Sequence, residues 1–236
     1  MEAMMKVLSL LPWIDWGAVL AFFSGWAGYA WFARHRALTH PSILVSTNRI
    51  RRAWMLQATY REVRVVDGVV IQNLSTSPSF FASTTILIVG GLLAVLGTTE
   101  KASGLVREIP FAALTTALVF DLKIVLLLVI FVYAFFRFTW SMRQYTFGAL
   151  LVASAPEAGV FEALGPSSRD EFADRAGRVV GLAAETFNDG LRAYYLAFAA
   201  IAWFFSPLAF MLATAGVITI LYQREFRSDV LQVLRS

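Results

Sequence analysis

Residues 193–222, AYYLAFAAIAWFFSPLAFMLATAGVITILY, run for 30 positions without one charged side chain. As a single α-helix this stretch would be about 45 Å long at roughly 1.5 Å per residue. The apolar core of a bilayer is only about 30 Å thick. The stretch therefore has to tilt, kink or protrude. Ser206 and Pro207 near its middle supply the kink, because proline lacks a backbone donor and clashes with the preceding turn. This is the signature of a membrane helix, and it sets the reading of everything before it.

Composition agrees. The chain is 58% hydrophobic and 15% charged, with a mean hydropathy of +0.65, whereas soluble domains are about half apolar and a quarter charged. Three further apolar runs occupy residues 14–33, 80–97 and 122–140. The expected fold is all-α: one integral membrane domain over residues 1–236, a bundle of four transmembrane helices with added cytoplasmic amphipathic helices at 48–74 and 168–191. The first run carries Asp15 near its start, which argues against a cleaved signal peptide and for a retained first span. Trp13, Trp16, Trp26, Tyr29 and Trp31 sit toward its ends as interfacial anchors do.

Between the first and second runs lies the most asymmetric charge in the chain. Arg34, Arg36, Arg49, Arg51, Arg52, Arg61 and Arg64 face one acid, Glu62. Arginines and lysines mark the cytoplasmic side, and the third connection adds Arg143, Arg169, Arg175, Arg178 and Arg192. Both connections are expected in the cytoplasm and both termini outside. The net charge of +4, placed between spans, reads as topology and lipid contact, not nucleic-acid binding. Ser46, Thr47 and Asn48 offer caps for a helix whose Arg49, Arg51 and Arg52 are candidates for lipid headgroups.

Residues 63–79 are expected to form a short amphipathic helix that breaks at Pro78, with Gln72 and Asn73 either at a pore mouth or capping backbone groups. Gly90, Gly91 and Gly97 make the second run a packing helix, since small residues let helices approach closely in lipid. The apolar part of the next connection, 110–120, is too short to span and suits an interfacial or re-entrant segment. Arg137 either snorkels to the interface or faces a polar cavity. Ser168 and Glu171 form an S-x-x-E capping box, and Gly190 marks a bend between the amphipathic and membrane helices.

The runs STNRIRRAWM (46–55), DGVVIQNL (67–74), SPSFFAST (77–84), RFTWSMRQY (137–145), NDGLRAYY (188–195) and LYQREFRSDVL (221–231), in this order, resemble the membrane-protein family named domain of unknown function 599. The resemblance extends over nearly the whole chain. It implies a multi-span protein of the bacterial inner membrane and brings no activity.

Function is read by class. There is no cysteine, so disulfides and thiolate metal sites are excluded. His35 and His40 have no third ligand nearby, and no acid–base constellation suggests an enzyme; no cofactor is expected. The leading expectation is a homo-oligomeric ion channel or pore in which Asn73, Arg137, Asn188, Asp189 and Arg192 converge at the cytoplasmic span ends. The rival is a structural or regulatory membrane subunit that binds anionic lipid or a partner protein.

Overall fold

A computed structural model describes residues 11–99, 104 and 116–234. In lipid every backbone N–H and C=O has to be satisfied within the protein, and an apolar chain does so most simply as helix. The elements are α1 (Trp13–Thr39), α2 (Ile43–Ala58), α3 (Val65–Gly97), α4 (Ala117–Ala153), α5 (Ala158–Leu164), α6 (Pro166–Ile201), a 3-10 turn (Ala202–Phe204), α7 (Pro207–Phe226) and α8 (Asp229–Val233). Among the described residues there is no strand. Three helical stretches, Val65–Gly97, Ala117–Ala153 and Pro207–Val233, are long and apolar enough to cross a membrane. The expected first span lies in α1, whose tryptophans, glycines and tyrosine lower its hydropathy below that of the other three.

The chain divides into two compact units, and the long helices pass from one to the other. The first comprises Met1–Leu38, Thr85–Tyr133 and Arg192–Arg224. Here α1 and α7 run parallel: Phe22 packs on Phe210 with ring centroids 5.0 Å apart, and Phe32 lies 6.2 Å from Tyr222. α4 runs antiparallel to the end of α6, with Phe120 against Phe204 and Phe131 against Tyr194.

The expected single span over 193–222 is instead a helical hairpin. α6 ends at Ile201, and α7 starts afresh at Pro207. Trp203 and Phe210 stack at 5.4 Å, and Arg224 Nη1 donates to the Tyr195 hydroxyl at 2.9 Å. Residues 29 apart in one straight helix would be more than 40 Å apart. The reversal is local chemistry. Ser206 Oγ accepts from Ala209 N at 3.0 Å, a helix N-cap, and Pro207 occupies the first helical position, where its missing N–H costs nothing.

The second unit comprises Thr39–Thr84, Ala134–Leu191 and Glu225–Ser236. Its core gathers Met55, Ile71, Tyr145, Val152, Phe161, Phe172, Ala173, Ala176, Val180 and Ala183. α4 and α6 run antiparallel here, and Ser141 Oγ donates to the Ala183 carbonyl at 2.7 Å. The C-terminal segment belongs to this unit: the Leu44 N–H at the start of α2 donates to Glu225 Oε1 at 3.2 Å. The chain turns back at Pro207.

Several local expectations change in the same way. The segment 48–74 is two helices joined by a turn at Thr59–Arg64, and its cap is Ser42, whose Oγ accepts from Val45 N at 3.2 Å. α3 runs through Pro78 without a break. Ser168 is already inside the first turn of α6 and donates to the Gly165 carbonyl at 2.7 Å, so no capping box forms. Gly165 itself has φ +89°, a conformation open to glycine. α6 continues through Gly190 without interruption. Of the expected interfacial segment 110–120, residues 110–115 lie outside the described residues, as do Glu100, Lys101, Arg107 and Glu108. Residues 117–120 begin α4. Only 11% of the α3 span is buried.

Candidate functional site

In the first unit the helix break creates a polar site. Pro207 has no N–H, so the carbonyl four residues earlier, at Trp203, has no helical partner. Lys123 Nζ fills that place at 2.9 Å, while the ammonium also lies 5.5 Å from the Trp203 ring centroid. From its other end Trp203 donates its indole N–H to Asp15 Oδ1 at 2.6 Å. Lys123 is 2% exposed and Asp15 8%. One tryptophan thus links two buried groups of opposite charge, with α1, α4 and the α6–α7 turn each supplying a member.

Burying an ionised group without partners is expensive, and breaking such a pair after burial costs more than replacing both members. Asp15 gains from lying in the first turn of α1, where the helix dipole favours an anion. Sequence reading placed Asp15 near the start of the first run and gave Lys123 no role. The missing signal was the tertiary approach of three distant segments, although Pro207 does mark an unpaired carbonyl at Trp203.

The five expected pore residues are distributed as follows. In the second unit Arg137 Nη2 donates to Asp189 Oδ2, so these two do meet. The guanidinium Nε of Arg137 is buried without a hydrogen-bond partner. Beside the pair, α4 and α6 come so close that a Cβ at Gly190 would lie 2.5 Å from Phe138 Cε1. Gly190 is therefore a contact residue and not a bend. Asn188 is partly buried on the same helix, and Asn73 is exposed on α3. Arg192 belongs to the first unit, where its guanidinium lies 5.7 Å from the Tyr29 ring centroid.

The arginine-rich connection is occupied mostly with protein. Arg52 pairs with Asp174, and with Asp170 at 3.2 Å, which raises its pKa through the Asp174 hydrogen bond and charge. Arg51 Nη1 donates to Asn48 Oδ1 at 2.7 Å and Thr47 Oγ1 at 3.0 Å; burial pulls its pKa down against the opposing influence of Tyr145 and Glu185. Arg61 pairs with Asp67, a fully buried carboxylate that also accepts from Trp54 Nε1 at 2.7 Å. Arg64 reaches the carbonyls of Ala58, Ala155 and Pro156 at 2.9, 3.0 and 2.5 Å. Arg49 is exposed on α2.

What brings α2 so close to α6 is a pair of glycines. A Cβ at Gly177 would lie 2.9 Å from Arg52 Cα, and one at Gly181 would lie 2.9 Å from Asn48 Oδ1. They are four residues apart and so share one helix face. Beside them Asn48, Arg52, Asp174, Arg178 and Glu185 line a cleft of about 550 Å³.

The family model described as "Protein of unknown function, DUF599" matches residues 17–230. No curated protein and no solved structure matches the chain.

Proposed function

The chain belongs to DUF599, a family of proteins of unknown function, and from that premise we propose that it is a multi-span protein of the bacterial inner membrane that assembles with its own copies into an ion-conducting pore. The observation that carries this reading is the Asp15–Trp203–Lys123 site. Ionisable residues inside membrane segments are rare and mark ion pathways or proton relays. Discontinuous helices expose backbone carbonyls that apolar bundles keep hidden. Here both features coincide at Pro207.

Assembly is supported by α3. Ser83, Leu87, Gly90, Ala94 and Gly97 are exposed along one of its faces, and a Cβ added at Gly90 or Gly97 meets nothing within 4 Å. Such a face admits a second helix at close range. In this reading α1, α3, α4 and the α6–α7 hairpin occupy the bilayer. The arginine-rich connection lies in the cytoplasm, and the C-terminal segment lies with it.

Ion flux into proteoliposomes tests the proposal. Wild-type protein gives flux above empty liposomes, and Lys123→Met and Asp15→Asn each lower it at least tenfold while the protein stays folded and assembled. Flux equal to that of empty liposomes sinks the pore.

One observation favours a second reading, a regulatory or structural membrane subunit: the polar cleft between α2 and α6, with Arg52 and Arg178 beside Asp174 and Glu185, has the mixed charge of a docking surface. Native mass spectrometry separates the two. A stoichiometric foreign subunit supports docking, and a symmetric self-assembly supports the pore.

A further inference from the structure

The exposed side of α3 repeats every seven residues. Starting from Val66, alternating steps of three and four lead through Val69, Asn73 and Phe80 to Gly97, and all ten positions they touch are exposed. The opposite side of the helix, with Ile71, Ala82 and Thr85, is buried within the chain. Steps of three and four trace the seam along which two helices pair in a left-handed supercoil. On this seam Phe80, Ser83, Leu87 and Gly90 follow one another, a bulky residue and a small one in turn. A Cβ at Gly90 or Gly97 meets nothing within 4 Å, so the holes that would take a facing Phe80 or Leu87 are open.

Lipid does not cover this seam fully. From Val66 to Gly97 it is about 46 Å long at roughly 1.5 Å per residue. Tilted by about 40°, the upper end of the usual range, it would still reach about 35 Å along the membrane normal. The hydrocarbon layer is only about 30 Å thick. Asn73 adds a second reason. Among the described residues nothing hydrogen-bonds its side chain, and an exposed amide on an apolar helix gains by bonding across a helix pair. Because an amide both donates and accepts, an identical amide satisfies it.

We propose that α3 pairs in parallel with α3 of a second copy, Asn73 against Asn73 and Gly90 against Gly90. Copies inserted the same way round run parallel, and a two-fold axis along the membrane normal sets each residue against its own counterpart. An asparagine at one position of such a seam fixes its register. A strip about 46 Å long and about 10 Å wide on each copy gives about 1,000 Å² in total, which is what a specific interface needs. This pairing rests on the self-assembly proposed above, and it does not depend on conduction.

Disulfide trapping in native membranes tests it, since the chain has no cysteine of its own. Asn73→Cys, Ser83→Cys and Gly90→Cys are oxidised with copper phenanthroline and compared with Ser75→Cys and Leu92→Cys, two partly buried positions off the seam. A disulfide needs Cα atoms within about 7 Å of each other, so the seam positions should give covalent dimers at least tenfold more readily. Gly90→Leu on the Ser83→Cys background should lower the dimer yield at least fivefold by closing a hole. Should Asn73→Cys fail to fold, Ser83→Cys and Gly90→Cys carry the test. Equal trapping at all positions, no trapping on the seam, trapping of a different protein there, or an unchanged yield in Gly90→Leu overturns the pairing. Trapped dimers without ion flux sink the pore and leave the pairing standing, whereas flux without trapping does the reverse.

Discussion

Arg224 donates to the hydroxyl of Tyr195 at 2.9 Å, which joins a residue just past the end of an uncharged run to one near its start, in a stretch that would suit one long helix. Their meeting makes the run a hairpin and returns the chain to the unit that holds the arginine-rich connection. The protein has no cysteine, so single introduced cysteines report sidedness cleanly. Ser228→Cys and Glu62→Cys are expected to label from the same, cytoplasmic side of oriented membranes with an impermeant maleimide. Labelling of the two from opposite sides would contradict the hairpin.

Gly177 sets the distance between α2 and α6. Alanine there drives a methyl group against Arg52 backbone atoms, which cannot rotate away. Overpacking of this kind costs about 1–3 kcal/mol. Gly216 is the natural comparison, because a Cβ there meets nothing within 4 Å and alanine favours helix by up to about 1 kcal/mol. Thermal unfolding in detergent should show Gly177→Ala lowering Tm and Gly216→Ala leaving it level or raised.

Arg64 closes the turn between α2 and α3 by donating to three carbonyls, at Ala58, Ala155 and Pro156. Hydrogen bonds to charged groups contribute about 1.5–3 kcal/mol, and an ammonium cannot reproduce a guanidinium fork. Arg64→Lys is therefore expected to destabilise nearly as much as Arg64→Ala. A lysine variant as stable as wild type would show that charge alone matters at this position.

Arg137 and Asp189 are coupled as neighbours in one ion pair, with side-chain exposures of 29% and 12%. Removing one partner strands the other, so Arg137→Met or Asp189→Leu alone should destabilise more than half as much as the double substitution. A double-mutant cycle on denaturation midpoints should give a coupling of about 0.5–3 kcal/mol. Additive effects would mean that the pair does not form in the membrane.

Much of this protein was legible in its sequence because the relevant physics is local. An apolar run has to bond its own backbone in lipid and so becomes helix, and three such stretches are long and apolar enough to cross a membrane. The resemblance to the family rested on six short runs spread over the chain, and the family match covers residues 17–230. Ser206–Pro207 was identified as an irregularity for the same local reason. Whether it bent the helix or reversed it was not a local question. That depended on whether α7 could pack beside α1, through Phe22 on Phe210 and the close approach at Gly25.

The sites divide in the same way. Asp15, Lys123 and Trp203 are 80 to 188 residues apart in the bonds that join them; Pro207 marks the open carbonyl at Trp203, but nothing local says which side chain fills it. Gly190 read as a bend because glycine weakens helices, but the approach of Phe138 decided otherwise. The sequence by itself determined that the chain is helical, has stretches apolar enough to cross a membrane and is charged on one connection, since backbone bonding and side-chain transfer energies act residue by residue. Tertiary structure alone decided the chain's reversal at Pro207 and the pairing of its buried charges, since each depends on which distant surfaces come into contact.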